Sequence, residues 1–253
     1  MPEYDAFAPF YDLEHADFTS DIPFWLELAG QTGSPVCELA CGTGRVLLPL
    51  ARAGFDVTGL DLSQKMLDVL QSKLDRESHE VQGRVALIQA DMKEFRFTTE
   101  FGLVFCAFNS FQHLMTTDDQ LACLRCVREY LADDGLLCIN VFAPFYHLLV
   151  NKTEHEQHLR KDPETGRDLI TQYFTERDYS NQTMELRMAF DRTDENGLVR
   201  RDTVHVTLCW IHNREMHLLL RQAGFEVKDV FGDFDKRPYD YVSGRQIFVT
   251  RKA

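Results

Sequence analysis

The stretch Val36-Cys37-Glu38-Leu39-Ala40-Cys41-Gly42-Thr43-Gly44-Arg45 combines an acid, a turn with two glycines and a base. Glycine at 42 and 44 admits positive φ and lets a ligand approach the backbone with no Cβ in the way. Behind Pro35, Val36 to Leu39 reads as a short buried strand, and Arg45 to Ala53 as an amphipathic helix. A strand, a glycine turn and a helix put a crevice at the carboxyl end of a sheet, where open α/β folds bind ligands. What the turn lacks narrows the ligand. A dinucleotide pattern needs a third glycine where Leu47 stands, and no Gly-Lys-Ser/Thr follows to cradle phosphate. A carboxylate at Glu38 repels a pyrophosphate but suits an ammonium group. The turn fits a cationic nucleoside without phosphate.

These residues resemble motif I of the class I S-adenosylmethionine-dependent methyltransferases, acid-x-Gly-x-Gly-x-Gly, with Ala40 at the first glycine position. The helix that follows and then Gly59-Leu60-Asp61-Leu62-Ser63 make the resemblance more specific than Gly-Thr-Gly alone. It implies S-adenosyl-L-methionine as cofactor and S-adenosyl-L-homocysteine as product. Glu38, Ala40, Cys41, Gly42, Thr43, Gly44 and Arg45 would then surround the amino-acid tail. Asp61, ending the second strand, can accept both ribose hydroxyls, with Leu62 and Met66 as apolar flanks of the adenine. The alternative for Asp61 is an acid complementing the helix that starts at Ser63.

The resemblance matches Asp91 to the acid that takes the adenine amino group, and Met92 to the neighbour whose N–H faces the ring. A loop cap is the other reading of Asp91. Phe108-Asn109-Ser110-Phe111-Gln112-His113-Leu114 looks like the Asn-Ser-x-x-His-Leu segment of small-molecule methyltransferases. Asn109 or Ser110 would bond the methionine end, with Phe108 toward the sulfonium. The segment is not Asn/Asp-Pro-Pro-Tyr, the motif of enzymes acting on amide or base nitrogens. His113, with an ordinary pKa of about 6.5, is the candidate general base, or else a structural histidine opening a helix. Tyr241 and Arg245, before the last strand, are further substrate-side candidates.

The elements that must position these residues alternate. Strands are expected at 36–39, 56–60, 84–89, 101–106 and 136–141, with helices at 43–52, 63–76 and 118–131. Helix 212–223 and strands 227–231 and 246–251 close the chain. Before the first strand, Tyr4, Phe7 and Tyr11 share a helical face that Pro9 should interrupt, and Asp21-Ile22-Pro23 opens a second helix. This segment is either plain core cover or a lid whose aromatics, Tyr11 among them, touch the cofactor. Between 150 and 211 a polar run, Glu154 to His158, reads as solvated loop; His155, Glu156 and His158 lack a third ligand for a metal. Strands at 169–177, 183–191 and 198–211 follow, with a hairpin at Asn196-Gly197.

The expected fold is α/β: a seven-stranded Rossmann-like methyltransferase sheet, its last strand antiparallel, with helices on both faces. Residues 1–253 form one domain: a helical lid (1–34), the core (35–141 and 212–253) and an antiparallel β insertion (about 150–211) over the substrate side.

Hydrophobic residues at 44% and charged ones at 26% suit a globular chain, and no apolar run of membrane-spanning length occurs. A net charge of −13 disfavours nucleic acid. The Arg192, Arg200 and Arg201 cluster is interleaved with acids and reads as a solvated face. Seven scattered cysteines fit reduced thiols, with Cys123-x-x-Cys126 inside a helix rather than on a metal. The acidic N-terminus has no signal-peptide pattern, which points to the cytoplasm. The expected function is methyl transfer to a nucleophilic N or O of a small molecule by a monomer or homodimer. The alternatives are a non-catalytic binder of the same cofactor and a nicotinamide-dependent oxidoreductase.

Overall fold

The computed structural model describes residues 3–15, 17–144, 150–161 and 165–253. Seven strands form the main sheet: β1 (Val36–Leu39), β2 (Val57–Asp61), β3 (Val85–Gln89), β4 (Phe101–Cys106), β5 (Leu131–Phe142), β10 (Phe225–Phe231) and β11 (Arg245–Lys252). Their order is β10-β11-β5-β4-β1-β2-β3. β1 to β5 pair in parallel, and β11 runs antiparallel between β10 and β5. The expected reversal of the last strand is therefore present. The strand order reverses between β4 and β1, so the connections after these two strands leave toward opposite faces and open a crevice at their carboxyl ends.

Both sheet faces are covered by helices whose apolar stripes dictate their packing. α2 (Ile22–Thr32), α3 (Leu47–Arg52) and α4 (Gln64–Leu74) lie on one face, where Trp25 stacks on Phe105 at 4.7 Å between ring centroids. α6 (Thr117–Tyr130) and α7 (Asn213–Gln222) cover the other through Leu121, Leu124, Val127, Met216 and Leu220. A short α5 (His79–Gln82), absent from the sequence reading, leads into β3. Cys123 and Cys126 lie on α6, and among the described residues no group of three or more His, Cys, Asp or Glu could hold a metal. Among these residues no helix is long and apolar enough to cross a membrane.

A second sheet stands apart, ordered β6 (Thr153–Lys161), β7 (Asp168–Asp178), β8 (Thr183–Thr193) and β9 (Val199–Cys209), all antiparallel. The run Glu154 to His158, expected as loop, is its edge strand. Eight of the nine residues of β6 are exposed, so no apolar alternation marked it as a strand.

The N-terminal segment ties the two sheets together. α1 (Ala8–His15) carries Pro9 in its first turn, where a missing N–H costs nothing, so the expected break does not occur. Phe10 stacks on Phe190 of β8 at 4.1 Å, while Phe7 and Met66 close the same apolar cluster. Its acids clasp both partners. Asp5 accepts from Ser63 Oγ (2.6 Å), Asp12 from Thr43 Oγ1 (2.6 Å), and Glu14 from Thr171 Oγ1 (3.1 Å) and the Tyr173 hydroxyl.

Candidate functional site

The crevice at the carboxyl ends of β1 to β4 is closed by the N-terminal segment and by the second sheet into a cavity of about 510 Å³. Its floor begins at the turn after β1. Ala40 has φ 53°, Gly42 φ 54° and Gly44 φ 80°, so three alternate residues lie in the left-handed region. Only two are glycine; Ala40 carries the strain that glycine would avoid. A Cβ on Gly44 would stand 2.2 Å from Leu70 Cδ1, so this position must stay bare for α4 to pack. The helix expected from Thr43 therefore begins only at Leu47.

Asp61, at the end of β2, is 8% exposed and lines the cavity. Its Oδ2 accepts from Gly42 N–H and its Oδ1 from Ser63 N–H, both at 2.8 Å. Burial pushes the carboxyl up, against these N–H donors that pull it down. Each oxygen keeps a second lone pair, which suits it to a diol as well as to the turn it braces. Asp61 therefore serves its local structure, as the capping alternative required, and still faces the cavity. Ser63 in turn caps α4 by accepting from Met66 N–H.

The next two strand ends complete this half. Asp91 accepts from Lys93 N–H (2.9 Å) and, with Met92, lines the cavity, as do Leu62 and Met66. After β4, Phe108 and Asn109 both adopt positive φ, at 52° and 67°. This turn puts Phe108, Asn109, Ser110 and His113 on the lining, with Tyr11 of α1 opposite Gly42.

The remaining motif residues face elsewhere. Glu38 is 3% exposed behind the turn and is not on the lining; burial drives its carboxyl well above the usual range, with Arg45 opposing. Its Oε2 has no hydrogen-bond partner among the described residues. Cys41 is buried beneath Gly59, and Thr43 is spent on Asp12. Arg45 points away from the cavity: it binds Asp21 and the Phe18 carbonyl, and lies against the Phe18 and Phe108 rings. The substrate-side candidates also lie off the lining. Tyr241 is 88% exposed, and Arg245 pairs with Asp233 (3.0 Å) over the Phe234 ring; neither reaches the lining. The loop before β11 turns outward, so closeness in sequence to a strand of the main sheet did not bring them to the crevice.

On the wall opposite, sequence reasoning named His113 but neither its partner nor the side chains of the second sheet. Tyr4 Oη lies 2.9 Å from His113 Nε2, and both residues line the cavity. Burial pulls His113 down to about 4, against a hydrogen bond to the Thr207 backbone. With one ring nitrogen donating to that carbonyl, the neutral ring offers its other lone pair, and the Tyr4 hydroxyl donates to it. His15, also on the lining, is likewise pulled to about 4 by burial and by Arg45 and Arg160. Leu186, Met188, Val206 and Leu208 of the second sheet make the rest of this wall apolar. The helical spacing of Tyr4, Phe7 and Tyr11, His113 in its motif and the β insertion expected over the substrate side were the signals for this side.

A bare Gly42 on the lining and an acid at the end of β2 fit a cationic nucleoside, while Gly44 and Glu38 support the turn from behind. Leu47 is fully buried where a dinucleotide pattern would need glycine. Residues 36–135 match the sequence family described as "Methyltransferase domain". YqeM of Bacillus subtilis (strain 168), named provisionally as a methyltransferase, is 27% identical, over 99% of this chain and 97% of its own. The CcbJ methyltransferase of Streptomyces caelestis superposes with a TM-score of 0.78 at 25% identity, covering 93% of this chain and 90% of that one. The sugar N-methyltransferase KedS8 of Streptoalloteichus sp ATCC 53650 shares the fold, with a TM-score of 0.75 at 21% identity over 96% and 93% of the two chains. Strand order, motif placement and these full-length likenesses agree: residues 36–135 carry a methyltransferase domain, and the chain has the fold of the class I S-adenosylmethionine-dependent methyltransferases.

Proposed function

We propose that this enzyme methylates an amine nitrogen of a small molecule, and that the amine reacts in its neutral form. One observation carries the choice of nitrogen over oxygen: outside the nucleoside grip of Asp61 and Asp91, no described side chain on the lining is poised to take a proton from a hydroxyl. His113 and His15 are both pulled to about 4. Asp61 is engaged by backbone N–H groups, and Asp119 is held below the usual carboxylate range by Lys93. A neutral amine needs no base to attack, whereas a hydroxyl does. The word "sugar N-methyltransferase" in the name of the structural neighbour KedS8 supports the same reading.

When bound, S-adenosylmethionine supplies an activated sulfonium methyl. The chain's task is then to hold the nucleophile in line and keep the site dry. Asp61, Asp91, Met92 and the Ala40–Gly42 turn would grip the nucleoside, with Asn109 or Ser110 at the methionine end. Tyr4, oriented by His113, would accept a hydrogen bond from the amine, making His113 a positioning residue rather than the base. The apolar wall of Leu186, Met188, Val206 and Leu208 excludes water. The test is transfer of labelled methyl to matched amine and alcohol panels, with product sites assigned by mass spectrometry. N-methylation is expected. Methyl found on oxygen and on no nitrogen would overturn the reading.

A further inference from the structure

We propose that the open edge of β6 docks a second copy of this chain, strand to strand and antiparallel, centred on Gln157. β6 pairs with β7 in nine consecutive steps without a bulge, and it ends the sheet's order. Its opposite edge has no strand partner among the described residues, and it contains no proline. Such an edge templates pairing unless its side chains forbid it. Here the charges are ordered along the strand, acids first (Glu154, Glu156) and bases after (His158, Arg160, Lys161).

A two-fold axis at Gln157 turns this order into complementarity. Glu154 then faces Arg160 of the partner subunit, Glu156 faces His158 of the partner subunit, and each pair occurs twice. Moving the centre to Glu156 would oppose two Glu156 carboxylates and set Lys152 against Arg160 of the partner subunit. The pattern therefore selects one register while discouraging others, which matters for a chain of net charge −13 that otherwise repels its own copies.

Each face of the strand fits this pairing. Arg160 and His158 sit opposite buried Leu169 and Thr171, on the face toward the N-terminal segment. On that face Glu154 already binds Arg177 (2.7 Å), Arg160 binds Glu14 (3.3 Å) and Glu156 lies 3.5 Å from His158. These contacts fix the side chains at the edge instead of leaving them to wander. On the outer face, His155 stacks on Phe174 at 4.3 Å and Leu159 is 67% exposed. The axis would lay Leu159 of the partner subunit beside His155, extending that apolar row across the junction. Two four-stranded sheets would become one of eight strands.

The test is sedimentation velocity on the full chain over a range of concentrations. A dimer of the 29.3 kDa chain is expected. Glu156→Arg and His158→Glu should each weaken it about tenfold, and the double swap should restore it. Neither residue lines the cavity, so cofactor affinity should stay constant and report on folding. As a second measurement, Gln157→Cys should give a covalent dimer on mild oxidation while Arg187→Cys, on the same sheet away from the edge, should not. A chain that stays monomeric, a dimer indifferent to the swap, or equal cross-linking at both positions would overturn the proposal.

Discussion

Both terminal nitrogens of Arg45 bind the two carboxylate oxygens of Asp21, at 2.6 and 2.7 Å, and Asp21 is completely buried. The Trp25 indole donates to the same carboxylate at 3.1 Å. The basic residue of motif I is thus a strut between the glycine turn and α2. Asp21→Asn would leave the Arg45 guanidinium largely buried without its counter-charge. Loss of one partner of a buried pair costs about 3–5 kcal/mol. Denaturant titration should show a drop of that order, and an unchanged midpoint would return the pair to the status of a surface contact.

Asp61→Ala should weaken S-adenosylmethionine and S-adenosylhomocysteine alike, by about 1–3 kcal/mol if a charged hydrogen-bond partner of the ribose is lost. Calorimetry with both ligands reads this directly. Because Asp61 also holds Gly42 and Ser63, Asp61→Asn is the companion variant, keeping the side chain's shape and one acceptor oxygen. Affinity unchanged in both variants would remove Asp61 from the cofactor site.

The turn after β1 gives a paired prediction. Gly44→Ala places a methyl against Leu70 at a positive φ, and should cost about 2–4 kcal/mol from strain and overpacking together. Ala40→Gly relieves a left-handed alanine, and should be neutral or stabilising by up to about 1 kcal/mol. Thermal melts of the two variants should move in opposite directions, or only Gly44→Ala should move.

The buried histidines make stability depend on acid. Burial holds His113 and His15 at a pKa of about 4 when folded, against an ordinary value of about 6.5 in the unfolded chain. Above about 6.5 both states hold the rings neutral, so these groups add no pH dependence. Between 6.5 and 4 the unfolded chain binds more protons, and stability falls as the pH falls. Urea midpoints at pH 7 and pH 5 should therefore differ, and His113→Gln should narrow the gap. A gap that His113→Gln leaves untouched would argue against a neutral buried His113.

Tyr4→Phe removes the hydroxyl that meets His113 while keeping the ring. If Tyr4 positions the acceptor, turnover should fall by about tenfold or more with cofactor affinity unchanged. The rate should rise with pH toward the acceptor's own pKa, with no inflection near 6.5. Equal loss of cofactor affinity and turnover would make the pair purely structural.

The main sheet was legible because its strands are apolar runs separated by helices of ordinary period. The turn after β1 and the acid ending β2 were legible because few residue types satisfy their backbone. Side-chain direction was not. Arg45 and Thr43 sit within the motif, yet Asp21 and Asp12, from a segment distant in sequence, draw them away from the cavity. β6 hid for a different reason: a strand exposed on both faces has no alternation to read. Tyr4 and His113 stand 109 residues apart, a closeness that only the folded cover creates.

The cavity's two walls come from different stretches of the chain. Residues 40–110 build the nucleoside side, whereas 173–208 supply the apolar part of the wall opposite, beside Tyr4 and His113, and lie wholly between β5 and α7. A contiguous segment that leaves and rejoins one scaffold is a cassette. Grafting a different cassette at those two junctions would re-aim the enzyme at another acceptor, with the nucleoside grip inherited intact.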